Sequence, residues 1–362
     1  QSVPEPAIYA GYLIRTRYSK ELCPQYLKSF MESRLYWEQL KSGTIATAQP
    51  NCNGKTLGKM LLPIPPKAEQ SRLVQKLANF TPIFQRYAKA QQDLDNLNKS
   101  IDDKLKKSIL QEAIQGRLVP QITEEGTAQE LLEQIKQEKL HLLKEGKLKK
   151  SALVDSVIYK GDDNKYYEQV GKSDKEITEE IAFDLPNGWS WCRLKDICSI
   201  FTGATFKKEE TVTTKEGVRI LRGGNISPFE LRIKDDDIFL TKDKVKEDII
   251  LKENDILTPA VTSLENIGKM VRVNSDMPNT TVGGFVFIIR LYLKNQWLSK
   301  YILYLLSSPF MIDFMKSITN KSGQAFYNIG KERLSTALLP IPSLAEQHRI
   351  VAQIEKLFEQ LR

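Results

Sequence analysis

The clearest periodic pattern lies in the first third of the chain, where apolar residues recur at alternating spacings of four and three. Two polar residues, Gln91 and Asn98, occupy the same stripe. A stripe of this kind, with polar positions that set the register, predicts a coiled-coil helix. The stripe comprises Leu73, Leu77, Phe80, Phe84, Tyr87, Leu94, Asn98, Ile101 and Leu105.

The predicted helix runs from about Ile83 to Leu118, because Thr81-Pro82 is a point where a helix restarts or kinks. Its length is roughly 54 Å at about 1.5 Å per residue. The presence of a second stripe near the end of the chain favours a mutual helix pair, and an amphipathic helix packed on a globular core is the alternative. This second stripe comprises Ile350, Ile354, Leu357 and Leu361.

The chain contains an internal repeat. LLPIPPKAEQSR begins at Leu61 and LLPIPSLAEQHR begins at Leu338, at an offset of 277 residues. A weaker match relates AGYLIRTR, from Ala10, to GGFVFIIR, from Gly283. Because matches of this length and order are improbable by chance, we predict two copies of one folding unit. The stronger match aligns Pro63 with Pro340, Pro65 with Pro342, Glu69 with Glu346, Gln70 with Gln347, and Arg72 with Arg349.

The repeat also predicts how the chain is organised. The second copy opens with a turn and a strand-like run, DLPNGWSWCRLKDI, at Asp184–Ile197. Its counterpart would fall before residue 1, so we expect the first copy to lack its front half. Between the copies we predict a helix at Ala128–Leu143, with capping residues Thr127 and Glu130, and an exposed linker at Tyr159–Glu180. The predicted segments are a rear half-domain at 1–79, a central coiled-coil helix at 80–121, a charged helical linker at 122–183, a complete domain at 184–343, and the start of a second coiled-coil helix at 344–362.

The composition is that of an ordinary globular protein. Of the 362 residues, 41% are hydrophobic and 27% are charged, which excludes intrinsic disorder, a collagen and a coiled coil throughout. No run approaches the roughly 18 uncharged apolar residues that a membrane span needs. Four cysteines without a CxxC pair and only two histidines supply neither a zinc site nor a histidine-based triad, so we expect no metal and no cofactor. Reduced thiols indicate a cytoplasmic protein.

The net charge of +8 is unevenly distributed. Residues 1–79 hold 11 basic and 5 acidic groups, and residues 185–343 hold 22 and 17, whereas residues 80–184 hold 17 and 20. The excess positive charge therefore lies in the two repeated globular segments. Binding to nucleic-acid phosphates is one interpretation of this charge, and a solvated surface is the other.

Four polar, glycine-containing loops of the second copy are candidates for contact with DNA. They are FTGATFKK at 201–208, LRGGNISPF at 221–229, TPAVTSLENIGK at 258–269 and KSGQAFYN at 321–328. Glycine lets the backbone approach a partner closely, and arginine and asparagine make bidentate contacts to guanine and adenine. The alternative is that these are ordinary surface loops and that Arg222 holds a carboxylate. The candidate DNA-binding residues are Lys207, Lys208, Arg222, Asn225, Gln324 and Tyr327.

Motifs for catalysis are missing from the sequence. NGKT at Asn53 resembles the end of a phosphate-binding loop, but Gln49 stands where that loop requires glycine. No GxGxxG follows a strand-like run, which argues against a dinucleotide or methyl-donor loop of that type. The acidic run Asp235-Asp236-Asp237 is more typical of a solvated turn than of a metal site. We therefore expect no catalytic residues.

Several motifs together resemble the DNA specificity subunit of type I restriction–modification systems. They are the LLPIP-x-x-AEQ-x-R repeat, KKSILQEAIQGRLVPQ at Lys106–Gln121, EGTAQELLEQIKQEK at Glu125–Lys139 and the opening LPNGWSWCRLKDI. The resemblance extends over nearly the whole chain. It implies mixed α/β target-recognition domains in tandem repeat, separated by long α-helices that form an antiparallel coiled coil. Each domain would read one half of a bipartite site in double-stranded DNA.

The resemblance also implies protein partners. Methyltransferase subunits would dock on the helices, restriction subunits would complete the nuclease–translocase, and the specificity subunit itself would perform no catalysis. The first recognition domain departs from the family, because only its rear half is expected here, and self-association of truncated chains through the stripe Leu73–Leu105 would restore a two-domain reader. The alternatives are a diverged standalone DNA methyltransferase or nuclease, and a coiled-coil scaffold that binds only protein.

Overall fold

The computed structural model describes residues 8–11, 13–43, 52–212, 216–322 and 325–361. The chain divides into two compact units, Gln1–Ser100 and Ile101–Arg362. Among the described residues the α-helices are α1 (Pro24–Met31), α2 (Arg34–Gly43), α3 (Gly54–Leu57), α4 (Lys67–Ile114), α5 (Ala128–Lys144), α6 (Leu194–Ile197), α7 (Gln296–Leu306), α8 (Pro309–Ser317), α9 (Lys331–Ser335) and α10 (Leu344–Gln360).

The β-strands all lie in the second unit, as far as the chain is described. They are β1 (Ser156–Lys160), β2 (Tyr166–Val170), β3 (Ser173–Glu176), β4 (Ser190–Arg193), β5 (Cys198–Thr202), β6 (Thr211–Val212), β7 (Val218–Leu221), β8 (Ile226–Ser227), β9 (Glu230–Leu231), β10 (Ile238–Leu240), β11 (Ile256–Pro259), β12 (Val261–Thr262), β13 (Val271–Arg272), β14 (Thr280–Val282), β15 (Val286–Leu291), β16 (Thr319–Ser322), β17 (Phe326–Ile329) and β18 (Leu338–Ile341). The described helices include none that is long and apolar enough to cross a membrane.

In the first unit, the buried side chain of Gln70 ties the start of α4 to the segment that precedes α1. Its Oε1 accepts a hydrogen bond from the N–H of Cys23 at 2.7 Å. Its Nε2 donates to the carbonyl of Glu21 at 3.3 Å and to that of Pro65 at 2.9 Å. One glutamine of the repeat motif thus holds two separate stretches of backbone together.

The long helix α4 begins earlier than predicted and is not interrupted. It has 48 residues, which corresponds to about 72 Å. Pro82 lies inside it, where the missing proline N–H removes one hydrogen bond from a long ladder. Beside it, the Thr81 hydroxyl donates to the carbonyl of Leu77 at 2.9 Å. The predicted restart at Thr81-Pro82 is therefore wrong.

The predicted stripe of α4 lies on the surface of the helix. Each of its apolar members is between 39% and 68% exposed, and Asn98 is exposed as well. A partner helix along this stripe stays a prediction. The second stripe behaves differently, because Ile350 and Ile354 are buried in the core where α10 packs on α7, and Leu357 and Leu361 are half-buried. Over Ile350–Ile354 the structure shows packing on a globular core.

Two four-stranded sheets form the centre of the second unit. One is antiparallel with the strand order β13-β11-β15-β5, and the other has the order β14-β7-β10-β6, with β14 parallel to β7. Apolar residues of both sheets, among them Ile220, Leu257, Val282 and Ile288, share one core. A larger core joins the antiparallel sheet to α5, α7, α8, α10 and the end of α4.

The elements predicted around the opening of the second copy are confirmed. Strand β4 forms within the run predicted to be strand-like and pairs with β18, which contains the second LLPIP segment. Helix α5 has the predicted capping box, in which the Thr127 hydroxyl accepts from the N–H of Glu130 at 3.3 Å and the Glu130 carboxylate accepts from the N–H of Thr127 at 3.4 Å.

Most residues of Tyr159–Glu180 are exposed, as predicted, but the segment is not a linker, because it contains the end of β1 and all of β2 and β3, which form an antiparallel sheet. Arg193 of β4 holds this sheet by pairing with Glu168 of β2 at 2.6 Å, and it also pairs with Glu180 at 2.8 Å. The charged composition suggested a linker because the arginine that neutralises these carboxylates is distant in sequence.

Candidate nucleic-acid interface

Three loops of the second unit meet where β5, β14 and β7 end. Ala204, after β5, donates its N–H to the carbonyl of Val282 in β14 at 2.8 Å, and Gly283 donates to the carbonyl of Leu221 in β7 at 2.8 Å. Gly203 lies so close to β14 that an added Cβ would overlap the carbonyls of Val282 and Gly283, so only glycine fits there. The three strand ends are therefore neighbours, in the order β5, β14, β7.

Two further segments join these loops through Ala260, which lies between β11 and β12. Ala260 donates its N–H to the carbonyl of Phe285 at 2.8 Å, and its own carbonyl accepts from the N–H of Ile329, at the end of β17, at 2.9 Å. The segments 203–208, 222–225, 260–262, 283–285 and 326–328 are called the loop cluster below. It brings together parts of all four loops that were predicted from the sequence to contact DNA.

The loop after β7 is shaped by Asn225, which is only 1% exposed. Its Oδ1 accepts from the N–H of Arg222 at 2.8 Å, and its Nδ2 donates to the carbonyl of Arg232 at 2.9 Å and to the carboxylate of Asp237 at 2.6 Å. Both amide hydrogens and the amide oxygen are thus occupied within the protein. Asn225 was predicted to offer its amide to a base. In this structure the amide fixes the loop instead.

Arg222 itself faces solvent, with 47% of its side chain exposed. Its Nη2 donates to the carbonyl of Asp236 at 3.1 Å and lies 3.2 Å from the Asp236 carboxylate, which is 75% exposed. Arg222 therefore does contact a carboxylate, as the alternative interpretation held, but this carboxylate, that of Asp236, is exposed to solvent. A pair of this kind contributes little to stability and is readily exchanged for another anion.

Asp237 is the second anchor of this loop, and its side chain is fully buried. It accepts from the N–H of Lys234 at 2.9 Å and from Nη1 of Arg219 at 2.9 Å, in addition to the Asn225 amide. Burial raises the pKa of Asp237, but the hydrogen bonds from Lys234, Asn225 and Arg219 outweigh it and hold the pKa below its ordinary value. One member of the acidic run predicted to be a solvated turn is thus a buried, charged structural residue.

Two lysines lie in the loop that follows β5. Lys207 and Lys208 are exposed and follow Thr205, whose hydroxyl lies against Gly284. The N–H of Lys207 donates to the Glu210 carboxylate at 2.7 Å, which fixes the backbone of this loop. This hydrogen bond, together with one from Lys244, lowers the pKa of Glu210.

Aromatic residues complete the cluster. Tyr327 is half-buried and packs against the main core, whereas Phe326 is 56% exposed and Phe285 is 73% exposed. Gln324 lies outside the described residues. Phe285 is not among the residues predicted from the sequence to contact DNA, although the Gly283-Gly284 pair immediately before it interrupts a strand-like run and is a signal of close backbone approach.

The side chains that could bind a metal ion are dispersed in the described part of the chain. Within residues 8–11, 13–43, 52–212, 216–322 and 325–361, no three side chains of histidine, cysteine, aspartate or glutamate are grouped so as to hold a metal ion. Two of the four cysteines, Cys192 and Cys198, are buried, and burial raises the pKa of both thiols well above the ordinary value. Thiols of this kind are chemically inert packing residues.

Comparison with known proteins matches this unit to one family. A family model described as the type I restriction modification DNA specificity domain matches residues 186–362. The chain is 30% identical over 301 residues to the specificity subunit of the type I restriction enzyme EcoAI from Escherichia coli, covering 78% of this chain and 44% of that protein. It is 26% identical over 286 residues to the EcoEI specificity subunit from the same organism, covering 78% and 45%.

The chain therefore spans less than half the length of these two relatives. Among solved structures, the HsdS subunit from Thermoanaerobacter tengcongensis is 18% identical, with 94% of this chain and 64% of that chain covered and a TM-score of 0.42.

Proposed function

We propose that the chain belongs to the type I restriction–modification DNA specificity family, and that its second unit reads one half of a bipartite target in double-stranded DNA. The observation that carries this proposal is the loop cluster. Neighbouring strands lie about 4.8 Å apart, so the ends of β5, β14 and β7 together span roughly 10 Å. Loops that project from these strand ends can enter the major groove, which displays a distinct pattern for each base pair.

The residues of the cluster have different roles in this proposal. Lys207 and Lys208 contact phosphates and set the position of the domain, because lysine ammonium groups neutralise the backbone without reading sequence. Arg222 exchanges Asp236 for a base edge or a phosphate, and Tyr327 and Gln324 make further contacts. Asn225 and Asp237 act as positioning residues that hold the Arg222 loop in shape.

We further propose that the chain directs catalysis that partner subunits perform. Its relatives are specificity subunits of restriction enzymes, and methyltransferase and restriction subunits are the partners that such a role requires. The exposed stripe of α4 is a candidate helix-packing surface in that assembly, either with a second helix or with another copy of the chain. We also propose a cytoplasmic location, which the four free cysteines support.

The deciding experiment is selection from a random duplex library by the full chain, alone and together with the methyltransferase subunits of its own system, at two salt concentrations. A K207A/K208A variant is compared with K172A/K175A, which removes the same charge from exposed positions outside the loop cluster. We expect enrichment of a defined half-site or gapped motif. K207A/K208A should weaken binding to selected and unselected duplexes alike, and K172A/K175A should leave binding unchanged.

Two outcomes would refute the proposal. Binding that selects no motif and simply falls with salt would indicate a basic scaffold. Cleavage or methylation of DNA by the purified chain alone would indicate a diverged enzyme and would remove the need for catalytic partners.

A further inference from the structure

The turn between β14 and β15 presents an aromatic ring to solvent from a rigid backbone. The N–H of Val286 donates to the carbonyl of Gly283 at 2.9 Å, which closes the turn. The carbonyl of Phe285 is held by Ala260 at 2.8 Å, and the flanking residues Val282 and Val286 are 0% and 1% exposed. Phe285 is nevertheless 73% exposed. The backbone is thus anchored on both sides, while the ring at the tip has no role in the core.

A single exposed apolar residue is ordinary on a protein surface, but the position of this one is not. Gly283 is bonded to the end of β7, directly before Arg222, and Gly284 lies against Thr205, directly before the lysine-bearing loop. Phe285 therefore lies on the middle one of the three neighbouring strand ends, with cationic loops on both sides.

An aromatic ring gains little from contact with a charged phosphate, so in a DNA complex we expect it to contact the bases. In the major groove, the apolar group that the ring can meet is the C5-methyl group of thymine. We propose that Phe285 is a specificity-determining residue that reads a thymine methyl in the half-site bound by the second unit. This inference rests on the proposed function and adds to it the chemistry of one base position.

The test uses the full chain assembled with its methyltransferase subunits, and the duplex selected by the wild-type protein. Each thymine of the half-site is replaced in turn by uracil, which removes only the methyl group. F285A is compared with the wild type, and V157A, which truncates a 58% exposed apolar residue on β1, serves as the matched control. Because Phe285 is exposed, we expect F285A to melt at the same temperature as the wild type.

We expect one uracil replacement to weaken wild-type binding roughly four-fold, the factor that corresponds to burial of one methyl group. F285A should weaken binding to the thymine duplex by a similar factor and be indifferent to that same replacement, while V157A should behave as wild type. The inference is overturned if F285A keeps the full thymine preference, or if no uracil replacement affects the wild type. If the wild type selects no motif at all, the proposed function fails as well, and this outcome is distinct from the other two.

Discussion

Arg193 and Glu168 form a buried two-point ion pair. Nε of Arg193 donates to one carboxylate oxygen at 3.1 Å and Nη2 donates to the other at 2.6 Å, with the two residues 6% and 8% exposed. Hydrogen bonds from Arg193 lower the pKa of Glu168 despite its burial. Through this pair the sheet β1-β2-β3, which precedes the family domain in sequence, is fastened to β4.

We predict that R193M lowers the free energy of unfolding by about 3–5 kcal/mol, because it leaves a buried carboxylate without its partner. The double variant R193M/E168M should recover most of this loss, since a well-packed apolar pair can replace a buried ion pair. Urea unfolding measures both values. A loss in R193M as small as that of K175M, which truncates an exposed lysine, would contradict the prediction.

A second prediction concerns Asp237→Asn. Asp237 accepts hydrogen bonds at both carboxylate oxygens, and asparagine retains only one acceptor oxygen, so we expect D237N to be less stable by about 1–3 kcal/mol at pH 7. Because the folded-state pKa of Asp237 is lowered, its stabilisation is present above the unfolded-state pKa of about 3.9 and is lost as the pH falls through the lower folded-state value.

Urea unfolding of wild type and D237N from pH 8 to pH 3 measures this dependence. The stability difference should be constant above about pH 5 and shrink below about pH 4. Asp236→Asn is the control, because that side chain is 75% exposed and its replacement should change stability little. A difference that stays the same down to pH 3 would exclude Asp237 as the titrating group.

The salt dependence of DNA binding tests the two exposed lysines. For each phosphate contact that is removed, the slope of log K against log salt should become shallower by about 0.9. We therefore expect K207A and K208A each to reduce the slope by about one, with little change in which sequence is preferred. Titrations between low and moderate salt provide the slopes, and an unchanged slope in both variants would remove these lysines from the interface.

Arg222→Ala separates reading of a base from contact with a phosphate. If Arg222 meets a base edge, R222A should weaken binding to the target by about 1–3 kcal/mol and relax the preference at one position. The quantity to measure is the ratio of affinities for target and scrambled duplexes. R86A, which removes an exposed arginine from α4, is the control. A ratio that R222A leaves intact would assign Arg222 to a phosphate or to no contact.

The two copies of the repeat separate what local sequence determines from what it does not. Gln347 donates to the carbonyl of Pro342 at 3.1 Å, and its counterpart Gln70 donates to the carbonyl of Pro65 at 2.9 Å. This bond spans five residues in both copies, and the shared Pro-x-x-Ala-Glu-Gln motif makes it in the same way. Contacts of this range follow directly from the motif.

The LLPIP segments that precede these glutamines adopt different structures. Leu338–Ile341 is the buried strand β18, paired with β4. In the first copy Leu61 is 78% exposed and lies outside any strand, and its N–H and carbonyl bond instead to the side chain of Gln39, at 2.7 Å and 3.0 Å. A strand needs a partner, and among the described residues only the second copy has one.

The sequence by itself determined the repeated motif, the long helix and the capped helix α5, because periodicity, capping and motif spacing act over a few residues. It also identified the loops of the cluster by their glycines. The tertiary structure decided which of their side chains remain free. The amide of Asn225 is hydrogen-bonded to Asp237, twelve residues away, and is not free to contact a partner. Phe285 is exposed because its backbone, not its ring, is anchored to Ala260. Such outcomes depend on partners remote along the chain, which local patterns do not encode.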